Sequence, residues 1–268
     1  MFRKLTYHEF RATGRMMWPY FIGMVLLSLL TRFAAIPMLN HNDFFPLNLL
    51  GILIVMAFFI GMFTLGLAPL IVSAWRFKKN VLSGEGYLTM SLPISTNQLL
   101  LSKLLVSAVW YALCAVLLFV CVLLLIGDLN TVAGMPSFVT QVFRVLQKAH
   151  TEQILQVLLA VFELLMNLIA GVVMATLIVY AAYAIGFSAN RSKSFLTVVL
   201  IFAFFHAAVY AIVYAIGLSE RIGNRWMFES GINGMCAFFG LTFFLMTVVS
   251  VIFYAVTHYF IANKLNLE

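Results

Sequence analysis

Six long runs of predominantly apolar residues limit what this chain can fold into. They cover residues 16–35, 47–74, 99–126, 154–187, 195–218 and 238–261. A helix needs about 20 such residues to cross the hydrocarbon core of a bilayer, and every run is long enough. Since 64% of the residues are hydrophobic and only 9% are charged, the composition also lies far from that of soluble proteins. We predict an all-α, multi-pass membrane protein in which residues 1–268 form one transmembrane domain of six helices.

The lysine and arginine residues are distributed unequally between the two sides of these spans. Eleven of the 16 lie on the side of the chain termini, and five lie on the opposite side. The positive-inside rule therefore predicts a cell-membrane protein with both termini in the cytoplasm. The formal net charge of +7 then indicates contact with lipid headgroups, and we expect no nucleic-acid partner.

No motif in the chain predicts catalysis. There is no His-Glu-x-x-His pair for zinc and no G-x-S-x-G turn for a nucleophilic serine. The three cysteines have no CxxC spacing, so they predict neither a disulfide framework nor a metal site. The phosphate-binding sequence G-x-x-x-x-G-K-[ST] is also absent, which excludes ATP binding by that route. We expect a chain that is not an enzyme and holds no metal or cofactor of its own.

Residues 1–15 have the periodicity of an amphipathic helix that lies in the membrane interface. Its apolar and basic residues fall on different sides: Phe2, Leu5, Ala12 and Met16 against Lys4, Arg11 and Arg15. Glu9 projects from the apolar side, where a helix facing only lipid should carry no acid. Either this side chain bends toward water, or it makes a polar contact with a partner protein.

Residues 76–98 form the one long polar stretch in the first half of the chain. Ser95 and Gln98 have the spacing of a capping box, which predicts the start of the next apolar helix. Pro93 ends any helix that precedes it. We therefore predict a short helix within 76–98, held between the second and third spans. A second segment, 219–237, has aromatic residues among charges and glycines, which predicts an outer re-entrant or surface segment.

Glu163 is the one acidic residue well inside a predicted span, and Asn167 follows it one helical turn later. An intramembrane acid is costly unless it faces protein or water, so this face should point inward. It marks either a translocation path or dimer seam, or a structural hydrogen bond to a neighbouring helix. Two histidines, His206 and His258, also lie in spans. We expect them to be buried and hydrogen-bonded, with a metal or proton relay as the less favoured hypothesis.

The polar stretch between the second and third spans also resembles a known family. It contains Gly84-Glu85-Gly86-Tyr87-Leu88, then Ser91-Leu92-Pro93-Ile94-Ser95, and then Leu101-Ser102-Lys103. This pattern resembles the loop after the second span in permease subunits of ABC exporters of the type 2 superfamily. Residues 4–15 are similar to the amphipathic entry helix of such permeases from Gram-positive bacteria.

The resemblance implies a permease subunit that forms a homo- or heterodimer and engages two copies of a separate ATPase subunit. ATP and Mg²⁺ would bind to that partner, and a coupling helix in the loop would transmit the motion. Glu85, Tyr87, Leu88, Leu92 and Pro93 would then belong to the coupling helix. Glu9 and Arg11 would contact the ATPase from the entry helix. The implied function is export of an amphiphilic or peptide-like substrate.

Two other classes of protein fit the same sequence less well. One is a secondary transporter or channel that needs no ATPase, which internal inverted repeats would favour. We find no such repeat in the sequence. The other is an intramembrane metalloenzyme centred on Glu163, His206 and His258.

Overall fold

The structure, a computed structural model, describes residues 2–41, 45–83, 86, 91, 95–126, 151–189, 193–221 and 232–263. All regular secondary structure in these residues is helical, and they contain no β-strand. The helices are α1 (Phe2–Leu30), α2 (Ile36–His41), α3 (Phe45–Phe77), α4 (Thr96–Ile126), α5 (Thr151–Ser188), α6 (Lys193–Arg221) and α7 (Ile232–Asn263). A π-helical segment, Thr31–Ala35, joins α1 to α2, and another, Lys78–Leu82, extends α3.

Six helical stretches in the described part of the chain are long and apolar enough to cross a membrane. They are Phe2–Leu39, Phe45–Leu82, Thr96–Leu125, Ile154–Ser188, Lys193–Leu218 and Gly234–Asn263. No more than 22% of the most apolar window of any of them is buried inside the chain, so most of their apolar surface is left for lipid or for other protein. The prediction of an all-helical, multi-pass membrane protein with six spans is confirmed.

The finer features of the prediction are not all visible. Helix α1 continues from Phe2 to Leu30 without a break after residue 15, so the backbone does not mark where an interfacial helix would end. That boundary stays a prediction. Most of the proposed coupling helix, at 84–85, 87–90 and 92–94, lies outside the described residues, as does 222–231 of the outer segment.

The described helices belong to two compact units. One contains Arg3–Ser73 and Val109–Gln147, and the other contains Ala74–Ala108 and Lys148–Glu268 with the first two residues. In the first unit, Gly61 of α3 provides space for α1, because a methyl group at this position would lie 2.7 Å from the Met24 sulfur. The Tyr20 hydroxyl of α1 also hydrogen-bonds to Thr64 of α3.

Helix α1 also contacts the second half of α4, within the same unit. The Trp110 ring nitrogen donates to the Thr13 hydroxyl, and Arg32 Nη1 donates to the Leu125 carbonyl at 3.0 Å. Later residues of α1 therefore meet later residues of α4. The two helices run parallel, as expected for two spans separated by one crossing in the opposite direction.

In the second unit, α5 packs against α6 and α7. Four buried residues, Met174, Ile178, Ala208 and Ile212, form the centre of this core. Partly buried residues of α7 such as Phe253 complete it. The second half of α5 is therefore enclosed, whereas its first half carries exposed side chains such as Phe162, which is 62% exposed.

Candidate functional site

The N-terminal part of α1 is fixed to α4 by one tryptophan. The Trp110 side chain is 2% exposed, and its ring nitrogen donates to the Thr13 hydroxyl at 2.7 Å. The ring also stacks on Phe10 with 4.9 Å between ring centres. Gly14 permits this approach, because a methyl group there would already lie 3.4 Å from the tryptophan ring. One face of the amphipathic segment is thus covered by protein from this chain.

The two predicted contact residues of this segment lie in different environments. Glu9 is only 9% exposed, so most of its surface is covered by this chain. Arg11 is exposed and lines an open groove of about 530 Å³ along α1. The groove residues are Tyr7, Phe10, Arg11, Gly14, Arg15 and Trp18. Arg11 is therefore the residue of the pair with a free path to a second molecule.

The polar loop after α3 begins at an aromatic stack. Phe77 and Tyr180 are both fully buried, and their rings lie parallel with 4.2 Å between centres. The next residue, Lys78, places its ammonium 5.5 Å from the centre of the Phe187 ring, within the range of a cation–π contact. These contacts fix the end of α3 to α5.

The same loop ends at a second fixed point. The backbone N–H of Gln98 donates to the Ser95 hydroxyl at 3.3 Å. Ser95 is therefore the N-cap of α4, as predicted. The Tyr254 hydroxyl of α7 donates to Asn97 Oδ1 at 3.0 Å. The loop is therefore held to α5 at its start and to α7 at its end. The five predicted loop contacts, Glu85, Tyr87, Leu88, Leu92 and Pro93, lie outside the described residues.

A polar cluster joins α5 to α7 inside the apolar region. Asn167 Nδ2 donates to the Phe239 carbonyl at 2.9 Å, and the Thr242 hydroxyl donates to Asn167 Oδ1 at 2.8 Å. Asn167 Nδ2 also donates to the Glu163 carbonyl of its own helix at 2.9 Å. The amide side chain thus uses both its nitrogen and its oxygen, and it links two spans.

Glu163 lies one turn before Asn167 and also faces α7. Its carboxyl group lies near the Cys236 thiol of α7. Gly240 of α7 lies beside it, since a methyl group there would be in ordinary contact with Glu163 Oε1, at 4.0 Å. The Glu163 Oε2 atom is buried, and no described residue hydrogen-bonds to it. A buried acceptor without a donor costs free energy, so the cluster carries an unused hydrogen-bonding site.

The face of α5 that carries Glu163 and Asn167 points into the protein, as predicted. Ala170 and Met174 continue the face, and each is 8% exposed. Glu163 follows the start of the apolar stretch, Ile154, by nine residues, or about 14 Å of helix. Sequence reasoning missed Cys236 and Thr242, because small polar residues are common in apolar helices and no pattern distinguishes these two.

The histidines are placed differently from the expectation. His206 is exposed, and its Nδ1 lies 2.9 Å from the Phe202 carbonyl of the same helix, so the prediction that it is buried is wrong. His258 stacks on Tyr254 with 6.5 Å between ring centres. Across the described ranges, no three His, Cys, Asp or Glu side chains come close enough to hold a metal ion.

We expect the cluster to stabilise the α5–α7 pair by a small, measurable amount. Asn167→Leu should lower the free energy of unfolding by about 1–2 kcal/mol, since two hydrogen bonds between spans are lost. Thr242→Val removes one of them and should cost about half as much. Reversible unfolding in mixed detergent micelles measures both.

Thr247→Val is the matched control, because the exposed Thr247 hydroxyl bonds to the Phe243 carbonyl of its own helix and to no other described residue. Its stability should stay within about 0.3 kcal/mol of the unsubstituted protein. If Thr242→Val and Thr247→Val have the same effect, the bond between the two spans contributes nothing.

Comparison of the chain with protein families, with characterised proteins and with solved structures finds no match.

Proposed function

We propose that this protein is the membrane-spanning permease subunit of an ATP-driven ABC exporter of the type 2 superfamily. The observation that carries the proposal is the attachment of the loop between the second and third spans. Its start is fixed to α5 through Phe77 and Tyr180, and its end to α7 through Asn97 and Tyr254. These are the two helices joined by the polar cluster around Asn167. A force on the loop would therefore reach the helices that carry the intramembrane polar groups.

The force would come from a separate ATPase subunit, present in two copies. We assign its binding to Glu85, Tyr87, Leu88, Leu92 and Pro93 of the coupling helix, and to Glu9 and Arg11 of α1. The exposed Arg11 is available for this contact in the present conformation. Glu9 is buried against this chain, so α1 would have to move before Glu9 could reach a partner. ATP and Mg²⁺ would bind to the ATPase and not to this chain, which lacks the phosphate-binding sequence.

The permease would work as a dimer in the cell membrane, with both termini in the cytoplasm as the basic residues indicate. Glu163 and Asn167 are proposed to lie on the translocation path or at the dimer seam. The outer half of α5 beside them is apolar and exposed, which suits an amphiphilic or peptide-like substrate better than a sugar. The segment 219–237 would close the outer end of the path.

Substitutions in the coupling helix test this proposal. We expect Leu88→Ala and Glu85→Gln to reduce ATP-dependent transport about tenfold or more, a loss of about 1.4 kcal/mol of coupling. Insertion into the membrane should be unchanged. The measurement is substrate export from vesicles that contain the chain and its co-purified ATPase, with the amount of inserted chain determined in parallel.

Leu105→Ala provides the matched control, because Leu105 is an apolar residue of α4 that is 50% exposed and lies outside the pattern shared with the family. It should transport normally. Full transport by the Leu88 and Glu85 variants would contradict the assignment of the coupling helix. Transport by the chain without any ATPase would instead favour a secondary transporter or channel.

A further inference from the structure

The exposed face of α6 carries polar side chains in the middle of a membrane span. His206 lies halfway along Lys193–Leu218 and is exposed. Tyr210, one turn later, is 72% exposed. The hydrocarbon interior offers no hydrogen-bonding partner to such groups. Polar side chains at this depth usually face protein or a water-filled cavity.

The two side chains have complementary unused hydrogen-bonding groups. His206 Nδ1 lies 2.9 Å from the Phe202 carbonyl, and a carbonyl oxygen can only accept, so Nδ1 carries the proton. In a neutral imidazole the other nitrogen, Nε2, is then an acceptor. The Tyr210 hydroxyl is a donor. No described residue hydrogen-bonds to Nε2 or to this hydroxyl.

The same face of α6 also carries two small residues. At 100° per residue, Ala203 and Gly217 lie on the side of His206 and Tyr210. Nothing lies within 4 Å of a methyl group placed on Gly217. Small residues of this kind permit close contact between helices in membranes.

We propose that this face of α6 is the seam with a second copy of the chain, related by a two-fold axis. The Tyr210 hydroxyl of each copy donates to His206 Nε2 of the other copy, so the contact is self-complementary. Side chains lean toward the N-terminus of their helix, so the long Tyr210 side chain extends toward the level of His206. A face that carries both the donor and the acceptor fits a second copy better than it fits lipid.

This inference rests on the dimer of the proposed function and specifies where the two copies meet. It assigns the seam to α6, which leaves Glu163 and Asn167 for the translocation path. The two histidine–tyrosine bonds would then hold the dimer together at the middle of the membrane.

Disulfide crosslinking in native membranes tests the position of the seam. Tyr210→Cys is introduced into a chain in which Cys114, Cys121 and Cys236 are replaced by alanine. Val209→Cys is the matched control, since Val209 is 55% exposed but lies 100° around the helix. Disulfides require Cα atoms within about 7 Å, so we expect Tyr210→Cys to give about fivefold more covalent dimer than Val209→Cys.

Dimer dissociation in vesicles, measured by energy transfer between labelled copies, tests the bonds in a chain that keeps its cysteines. His206→Phe and Tyr210→Phe should each raise the dissociation constant about tenfold, and the double variant no further, because each single change removes both bonds. Tyr214→Phe, the same change one turn away, should have no effect.

Three outcomes would overturn the seam. Equal crosslinking at residues 209 and 210, or unchanged dissociation in the His206 and Tyr210 variants, would show a dimer that meets elsewhere, and the proposed exporter function would survive. A chain that is monomeric before any substitution would contradict the dimer of the proposed function and the seam together.

Discussion

Trp110→Ala should lower the free energy of unfolding by about 3–5 kcal/mol, the range for removal of a buried tryptophan. The ring is 2% exposed, stacks on Phe10 and donates to Thr13. Its removal leaves a cavity under the N-terminal part of α1. Chemical or thermal unfolding in detergent, followed by circular dichroism, measures the loss.

Two further variants separate the contributions of the ring. Thr13→Val removes the acceptor of the hydrogen bond and keeps the packing, so it should cost about 1 kcal/mol. Trp18→Ala removes a tryptophan that is 60% exposed and should stay within about 0.5 kcal/mol. Equal losses for Trp110→Ala and Trp18→Ala would show that α1 is not fixed to α4 through this ring.

Gly186→Ala is the second change with a large expected effect, a loss of about 1–3 kcal/mol from overpacking. A methyl group on Gly186 would lie 3.0 Å from Thr197 Cα and closer still to the Thr197 hydroxyl. Because one of these atoms belongs to the backbone, the contact between α5 and α6 must open to accommodate the methyl group. The midpoint of thermal unfolding in detergent should fall accordingly.

Gly66→Ala is the control for this substitution, because nothing lies within 4 Å of a methyl group at that position of α3. It should leave stability unchanged or raise it by up to about 1 kcal/mol, since alanine is favoured over glycine in a helix. If both glycine variants unfold at the same temperature, α5 and α6 are not in close contact at Gly186 and Thr197.

Hydropathy predicted the membrane-spanning elements well, because each span must be apolar along its whole length. The Ser95 cap and the inward face of Glu163 were also predictable, since each follows from a local pattern. The contacts of Trp110 with Thr13 and of Asn167 with Phe239 were not predictable. They join residues 97 and 72 positions apart, and helical periodicity gives no information about which helices are neighbours.

The start of the first span shows a different limit. The sequence changes from amphipathic to apolar near Met16, and this change suggested two helices. Helix α1 nevertheless continues through it, because both patterns favour the same backbone conformation. The pattern reports on the surroundings of the side chains, which can change along an unbroken helix. His206 shows the converse, since an apolar neighbourhood in sequence did not imply burial inside the chain.

The π-helical segment Lys78–Leu82 places one extra residue at the start of the polar loop. A π-helical turn closes its hydrogen bonds over one more residue than an α-helical turn does. Rewinding the segment as α-helix would turn the residues after it by about 100° around the axis, one residue's rotation. Phe77, immediately before the segment, could keep its stack on Tyr180 during that change. Such a change would turn the start of the loop by one residue and move the buried Val81 and Leu82, without requiring the stack that anchors α3 to break.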